Sequence, residues 1–297
     1  MEDSSPMEDC GLTWDARKGT GIMSFLTSFL LGLVQGIAEF LPISSSGHLA
    51  IAQNLLGLET EVPEFFDVLL HLGTLLAIFV AYWKEFLDMV EEFLRGIGDL
   101  VHRSTPMPVP PARRLIVLII IGTLPLFALL PIRKKVQALS DNMLFVGMAL
   151  IFTGFLLFAC DLLHRGRKTE TNAGVADVLV VGLGQALAAI PGVSRSGMTI
   201  AAGCFMGFER QFAVRFSFLL SIPAVLGANV LALKDALVAG VNWGDLPAYL
   251  VGVVTAAVSG YLCIRFLKMI AERGRFGAFA YYCWAVGLFT LVMNIIR

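Results

Sequence analysis

The chain repeats itself at an offset of 150 residues, and this repeat limits the folds that are open to it. The segment GLVQGIAEFLPISSSGHLAIAQNLLGLE, which starts at Gly32, aligns without a gap with GLGQALAAIPGVSRSGMTIAAGCFMGFE, which starts at Gly182. Internal repetition on this scale predicts two structurally equivalent halves. The matched residues include Gln35 and Gln185, Ser44 and Ser194, Ser46 and Ser196, and Gly47 and Gly197.

The two copies differ in their ionisable residues. Glu39 is matched by Ala189, Ser45 by Arg195 and His48 by Met198. The repeat therefore predicts a symmetric scaffold that carries an asymmetric set of ionisable side chains. The four candidates for catalysis that this comparison isolates are Glu39, Ser45, His48 and Arg195.

Composition places this scaffold in a membrane. Hydrophobic residues make up 57% of the 297 residues, charged residues make up 15%, and the mean hydropathy is +0.78. Soluble domains carry roughly 25% charged residues. Apolar stretches long enough to cross ~30 Å of hydrocarbon recur along the whole chain, which excludes a lone signal peptide or anchor. These stretches lie near residues 22–42, 65–83, 114–132, 143–163, 175–191, 212–233, 246–268 and 277–296.

Two further helix candidates, 44–56 and 194–206, are too short to cross. Each reaches only about 20 Å, because an α-helix rises 1.5 Å per residue. We expect each to form a hairpin with the apolar segment before it, which leaves three full spans in each half. Since three is odd, the second half must be inverted relative to the first. The predicted fold is an all-α integral membrane protein with an inverted-topology repeat, about six full transmembrane helices and two re-entrant helix-loop-helix hairpins.

The predicted domain organisation follows from these spans. Residues 22–297 form a single membrane domain made of two repeats, 22–165 and 174–297, and the polar residues 1–21 form a disordered tail. The connection 84–113, which contains TPMPVPP, is expected to be an extended surface loop.

The five scattered cysteines show no metal-ligand spacing, and a net charge of -1 gives no indication of a nucleic-acid partner. Basic residues flank both ends of several spans, so charge leaves the orientation open.

The two serine-rich loops, 42–48 (PISSSGH) and 191–197 (PGVSRSG), predict an anion pocket. In each loop a proline ends the preceding helix and a glycine lets the backbone turn into the next one. A helix N-terminus presents free N–H groups and a positive dipole end to an anion. A single loop of this kind can be a simple helix cap, whereas two that meet at a pseudo-two-fold axis form one pocket. Its predicted lining is Ser44, Ser46, Gly47, Ser194, Ser196 and Gly197.

Arg195 and Glu39 strengthen this prediction. An arginine at membrane depth costs about 2.5–3.5 kcal/mol on insertion scales and is rarely kept without a partner. Its planar guanidinium suits bidentate contact with phosphate. Glu39 follows an apolar run in which an isolated carboxylate is costly, so it is expected to bind a divalent cation, pair with Arg195 or move a proton. A purely structural ion pair between the two residues is the alternative.

Three more residues complete the candidate site. His48 adjoins three serines and can transfer protons near neutral pH. Gln35 lies one helical turn before Glu39 and offers hydrogen bonds or a neutral carbonyl ligand. Thr199, one turn into the second short helix, adds a hydroxyl. His71 has no comparable neighbours in the sequence and is expected to be structural.

The motifs QGIAEFLPISSSGH and PGVSRSGMT at this spacing resemble the undecaprenyl pyrophosphate phosphatase family, also called bacitracin resistance proteins. The resemblance covers the chain from about residue 22 to the C-terminus. It implies an integral membrane hydrolase that removes the terminal phosphate of undecaprenyl pyrophosphate, a polyprenyl pyrophosphate lipid, and so recycles the carrier for peptidoglycan synthesis. It also implies a location in the bacterial cytoplasmic (inner) membrane, with the pocket facing the outside. The resemblance is compatible with a homodimer but does not decide the oligomeric state.

The resemblance extends to individual residues and to a cofactor. Functional roles fall on Glu39 of the E/Q-x-x-x-E motif, on Ser45 and His48, and on the second loop with Thr199. The family depends on a divalent cation, magnesium or calcium. Many members have glutamate where this chain has Gln35, so Glu39 alone would supply the carboxylate for the metal.

Other functions compete with this one. Inverted repeats with discontinuous helices also build transporters, so a transporter or flippase of a lipid carrier or small anion is the alternative. The run SSGH also looks like the PSGH element of type 2 phosphatidic acid phosphatases, but the histidine expected six residues after Arg195 is Ala201. The nucleophile stays open between Ser45 activated by His48 and a water deprotonated by His48.

Overall fold

The computed structural model describes residues 23–58, 62–102, 108–163, 166–239, 242–273 and 276–296, so the predicted tail at 1–21 lies outside the described residues. The described part is helical apart from a β-bridge between Lys168 and Phe208. Its α-helices are α1 (Phe25–Phe40), α2 (Ser45–Leu56), α3 (Glu64–Ala81), α4 (Trp83–His102), α5 (Pro111–Thr123), α6 (Arg133–Gln137), α7 (Met143–Leu163), α8 (Val175–Leu187), α9 (Arg195–Phe205), α10 (Arg210–Ala239), α11 (Leu246–Arg273) and α12 (Gly277–Ile296).

Six helical segments of the described chain are long and apolar enough to cross a membrane, which is the number that the sequence predicts. They are Glu64–Ala81, Pro111–Asp141, Met143–Leu163, Arg210–Val238, Trp243–Glu272 and Gly277–Ile296. The apolar helices α1 and α8 are shorter. The chain is therefore an all-α, multi-pass membrane protein.

Contacts between distant segments assign each turn of the chain to one of two ends of the bundle. At the first end, the backbone N–H of Met23, just before α1, donates to Asp245 Oδ1 over 2.9 Å. Arg133, at the start of α6, forms an ion pair with Asp235 of α10. The last turn of α2 lies beside the start of α7 and the end of α12. The first hairpin, α1 and α2, thus starts and finishes at the first end.

The second hairpin starts and finishes at the opposite end. There the Asp161 carboxylate, at the end of α7, accepts hydrogen bonds from the backbone N–H groups of Phe276 (2.8 Å) and Gly277 (2.6 Å), just before and at the start of α12. Arg215 of α10 forms an ion pair with Glu170, which precedes α8. The second half therefore runs in the opposite direction to the first, as an odd number of spans requires. The return of each hairpin to one side of a bilayer stays a prediction.

Glycines allow each hairpin to pack closely against the other half of the chain. A Cβ atom on Gly32 of α1 would lie 2.4 Å from the carbonyl oxygen of Gly252 on α11. Its repeat equivalent on α8, Gly182, comes equally close, because a Cβ there would lie 2.3 Å from the carbonyl oxygen of Gly122 on α5. Small residues are the usual means by which membrane helices approach backbone to backbone. The two halves are interleaved rather than side by side.

One local prediction about the first half is wrong. The connection 84–113 is not an extended loop, because most of it forms α4, whose charged face is tied to α5 by Arg113 through Asp99 (2.7 Å) and Glu92 (3.1 Å). The apolar segment 114–132 does lie in one of the six spans, as predicted, but it is α-helical only as far as Thr123. It continues as the 3-10 helix Leu124–Ile132, which holds prolines at 125 and 131, and proline cannot supply the N–H that an α-helix needs.

Candidate functional site

The two serine-rich loops meet inside the bundle, where each reaches across to the other. The hydroxyl of Ser46 in the first loop accepts a hydrogen bond from the backbone N–H of Gly192 over 3.3 Å. Its repeat equivalent Ser196 donates to the carbonyl oxygen of Leu41 over 3.2 Å. Pro42, the equivalent of Gly192, has no N–H, so the second serine bonds to the preceding carbonyl instead. The structure thus brings the loops together about a pseudo-two-fold axis.

The first serine of each loop caps a helix. Ser44 accepts from the backbone N–H of Gly47 over 3.3 Å, and Ser194 accepts from Gly197 over 3.0 Å. These are N-caps of α2 and α9, and each helix start lies against the loop of the other half. A Cβ on Gly47 would lie 3.2 Å from the Cα of Gly192, so glycine at this place keeps the loops in contact.

Glu39 is the centre of the polar network. Its Oε2 accepts hydrogen bonds from Ser45 Oγ over 2.6 Å and from Gln35 Nε2 over 3.2 Å. Its Oε1 forms an ion pair with Arg195 Nη2. The Glu39 side chain is 6% exposed and the Arg195 side chain 21%, so part of the arginine stays accessible while the carboxylate is buried. Three of the four residues that break the repeat symmetry are therefore joined.

His48, the fourth of them, has different partners. Its Nδ1 lies 2.8 Å from the carbonyl oxygen of Ser44, and its Nε2 lies 3.0 Å from the hydroxyl of Tyr282 on α12. The imidazole and phenol rings are stacked, with centroids 5.6 Å apart and planes 9° apart. Ser45 lies three residues before His48 on α2 but gives its hydrogen bond to Glu39.

Thr199 supports the second helix from inside. Its hydroxyl donates to the carbonyl oxygen of Arg195 over 2.9 Å and lies 2.6 Å from Ser217 Oγ on α10. Thr199 is 1% exposed. In this state it joins α9 to α10, and its hydroxyl is one turn from the guanidinium rather than beside it.

Sequence reasoning missed residues that hold the site from other helices. Tyr282 contacts His48, and Thr153 of α7 accepts a hydrogen bond from the backbone N–H of Ser194 over 3.2 Å. Neither belongs to the repeated motif, and a tyrosine or threonine in an apolar helix gives no signal of its own. His71 of α3, expected to be structural, lies near enough to Glu39 for the two side chains to interact electrostatically.

A divalent cation would find few protein ligands here. In the described part of the chain, no three His, Cys, Asp or Glu side chains converge on one point. Gln35 Oε1, however, is buried and has no hydrogen-bond partner. A buried oxygen without a donor is a suitable ligand for a hard cation, and it lies one turn from the Glu39 carboxylate. The equivalent Gln185 has Ala189 in place of that carboxylate, so only the first half offers this oxygen pair.

Comparison with known proteins identifies the family of this chain. The model of the family described as bacitracin resistance protein BacA matches residues 28–289. The chain is 37% identical over 280 residues to an undecaprenyl-diphosphatase of Methanosphaera stadtmanae, an alignment that covers 93% of this chain and 100% of the relative. It is 39% identical over 277 residues to an undecaprenyl-diphosphatase of Methanobrevibacter smithii, in an alignment that covers 92% of this chain and 99% of the relative. It is 38% identical over 278 residues to one of Desulforapulum autotrophicum, in an alignment that covers 92% of this chain and 100% of the relative. By match length and by identity, the chain belongs to the bacitracin resistance protein BacA family.

Proposed function

We propose that this protein hydrolyses undecaprenyl pyrophosphate to undecaprenyl phosphate and inorganic phosphate. The reaction recycles the lipid carrier for peptidoglycan synthesis and confers bacitracin resistance. Family membership and the naming of the relatives as undecaprenyl-diphosphatases support the proposal. The observation that carries it is the junction of two capped helix N-termini with a buried carboxylate, a hydroxyl and a partly accessible arginine.

The pyrophosphate is bound by positive charge on one side of this junction. Arg195 and the N-termini of α2 and α9 contact its oxygens, because all three present N–H donors to an anion. The ion pair with Glu39 holds the guanidinium in place before the substrate arrives. Arg195 thus pairs with Glu39 before the substrate binds and contacts the phosphate after it has bound. The isoprenoid chain stays in the hydrocarbon between the spans.

Ser45 is the nucleophile that the hydrogen bonds favour. Its oxygen attacks the terminal phosphorus in line with the leaving group while its proton passes to Glu39 Oε2, 2.6 Å away. A bond forms between Ser45 Oγ and phosphorus, the phosphoanhydride bond breaks, and undecaprenyl phosphate leaves. Water, deprotonated by His48, then attacks the phosphorus of the phosphoserine. The bond to Ser45 Oγ breaks, the serine takes its proton back from Glu39, and inorganic phosphate leaves. In the alternative, the same water attacks the substrate directly and no phosphoserine forms.

Glu39 and the Oε1 of Gln35 would hold a divalent cation, magnesium or calcium, with substrate oxygens and waters as the other ligands. An ion held there would supply positive charge to neutralise the pyrophosphate. The family resemblance also supports the cytoplasmic membrane of a bacterium, a pocket that faces the outside, and a possible homodimer as the assembly. The ionisable residues that differ between the halves weigh against a transporter, which needs no such chemistry.

Release of phosphate by the purified protein from undecaprenyl pyrophosphate tests the proposal. Arg195→Ala is expected to lower the rate about 100-fold or more, as loss of a preorganised donor does. The control is Arg95→Ala, since Arg95 is a surface residue with 62% of its side chain exposed, and its rate should stay near the parent's. No release by the parent would refute the function, whereas an active Arg195→Ala would refute the site.

The nucleophile has its own test. A radiolabelled terminal phosphate should be trapped on the parent by acid quench and should be absent from Ser45→Ala. A Ser45→Ala protein that keeps the parent's rate excludes the phosphoserine and leaves the water mechanism.

A further inference from the structure

Tyr282 lies outside both sequence motifs but contacts the site directly. It comes from α12, 234 residues away from His48 along the chain, and combines a hydrogen bond with a ring stack. The next residue, Cys283, points its thiol at the carbonyl oxygen of Pro42 in the first loop over 3.8 Å. Two successive residues of α12 therefore contact the loop that carries Ser45 and His48.

The hydrogen bonds of His48 define its tautomer. A backbone carbonyl only accepts, so Nδ1, which faces the carbonyl oxygen of Ser44, must carry the proton. In the neutral ring the lone pair is then on Nε2. The hydroxyl of Tyr282 lies 3.0 Å from that nitrogen and donates to it. Nε2 is thus the atom that can accept a proton, and Tyr282 holds it.

The contact is more than helix packing. Tyr281, the neighbouring residue, is 61% exposed, and its ring packs on Trp284 and Phe158 rather than on His48. The backbone of α12 is fixed independently against α7, where a Cβ on Gly287 would lie 2.8 Å from the carbonyl oxygen of Gly147. The orientation of the Tyr282 ring against His48 is therefore a property of that side chain on a fixed helix.

We propose that Tyr282 is a positioning residue that fixes the plane of His48 and keeps it as the neutral Nδ1–H tautomer with Nε2 as the proton acceptor. This inference deepens the proposed function and rests on it. During the reaction the attacking water inserts between Nε2 and the tyrosine hydroxyl, donating to Nε2 and accepting from the hydroxyl, so that Tyr282 stays in the network. Tyr282 thereby aligns the base without itself contacting the transferred phosphate.

Tyr282→Phe, Tyr282→Leu and the control Tyr281→Phe separate the two contacts. Tyr282→Phe keeps the ring stack and loses the hydroxyl, so kcat for phosphate release should fall about 3- to 10-fold with little change in KM, as loss of one hydrogen bond predicts. Tyr282→Leu also loses the ring stack, so its kcat should fall further. Tyr281→Phe should stay within about twofold of the parent, since its hydroxyl lies outside the site.

A spectroscopic readout keeps this test independent of activity. In ¹⁵N-histidine-labelled protein, with the signal assigned through His48→Gln, the unprotonated Nε2 resonance should shift in Tyr282→Phe and stay unchanged in Tyr281→Phe. An unshifted resonance, or an active Tyr282→Phe with the parent's kcat, would overturn the inference. If the parent releases no phosphate but the resonance shifts, the proposed function fails and the contact with His48 stands.

Discussion

Ser44 shows that strain is concentrated at the first loop. In the described chain it is the non-glycine residue with a positive φ, 75°, a conformation that costs of order 1–3 kcal/mol. Its repeat equivalent Ser194 caps α9 with an ordinary φ of -72°. The strained residue is the one whose carbonyl oxygen accepts from Nδ1 of His48. Both carbonyl oxygens also accept a backbone N–H of their helix, Ser44 from His48 over 3.1 Å and Ser194 from Met198 over 2.9 Å. The strain therefore coincides with a histidine side-chain contact that the second half, which has Met198, does not make.

A pair of substitutions at each serine measures this strain. Both positions cap a helix, so replacing Ser by Ala or by Gly removes the same cap at each. Only at Ser44 does glycine also relieve the positive φ. We expect the advantage of Gly over Ala in the free energy of unfolding to be about 1 kcal/mol larger at 44 than at 194, measured in the same detergent micelles. Equal differences at the two sites would show that Ser44 is unstrained.

Gln35 allows a second prediction about a single residue. Gln35→Glu adds a second carboxylate beside Glu39, so the concentration of Mg²⁺ at half-maximal phosphate release should fall about tenfold or more, because the attraction between a divalent cation and a nearby carboxylate is strong. Gln35→Leu removes the oxygen and should raise that concentration. A cation dependence that is the same in both variants would place the ion elsewhere.

Subtracting one repeat from the other is what made this site predictable. Residues that serve the scaffold are kept in both copies, whereas Glu39, Ser45 and Arg195 occur in one copy each, and the structure joins them. The partner of His48 could not be predicted in this way. Tyr282 is brought to it by the packing of α12 on α7, which no local pattern encodes.

At the scale of helices, the contact of α1 with α11 depends on the absence of side chains. A Cβ on Gly36 would lie 2.0 Å from Ser259 Oγ and 2.6 Å from the carbonyl oxygen of Ala256. Gly36→Ala should therefore cost about 1–3 kcal/mol of unfolding free energy, as overpacking does. Its control is Gly227→Ala in α10, where nothing lies within 4 Å of the added carbon. That variant should be neutral or slightly stabilising, because glycine inside a helix is unfavourable.

Removing the obstructing hydroxyl tests the cause. Ser259→Ala combined with Gly36→Ala should recover only part of the loss, since the carbonyl oxygen of Ala256 belongs to the backbone and cannot rotate away. Thermal unfolding, measured beside the parent, should rank Gly36→Ala as the least stable, the double variant with Ser259→Ala as intermediate, and Gly227→Ala as equal to the parent or slightly more stable. If Gly36→Ala unfolds like Gly227→Ala, the close approach of the two helices is not required for stability.

The six spans were predictable from length and hydropathy, but α4 was not. Its apolar residues, among them Trp83, Leu87, Val90 and Leu94, recur at helical spacing between charged ones. The mixed charges and the proline-rich run that follows favoured a loop instead. The charged face of α4 is stabilised by ion pairs with Arg113 of the next helix. Because these contacts join two helices, the local sequence of α4 does not reveal them.

At the scale of the molecule, the two hairpins enter from opposite ends and their loops meet between them. Each hairpin packs on a span of the other half, as Gly32 on Gly252 and Gly182 on Gly122 show. Neither half can therefore bury its first helix without the other. This interleaving places a single site at the axis, to which the first half contributes Glu39, Ser45 and His48 and the second contributes Arg195. The site can form in this way only if the two halves run in opposite directions.

Labelling of single cysteines from one side of the membrane tests this orientation. Exposed positions are Gln137 and Trp243 at the first end of the bundle and Thr171 at the second. In a background with Cys10→Ser and Cys263→Ser, the cysteines that remain are buried. Gln137→Cys and Trp243→Cys, which lie in different halves, should react with an impermeant maleimide from the same side of sealed vesicles. Thr171→Cys should react only from the other side or after permeabilisation, and reaction of all three from one side would contradict the inverted repeat.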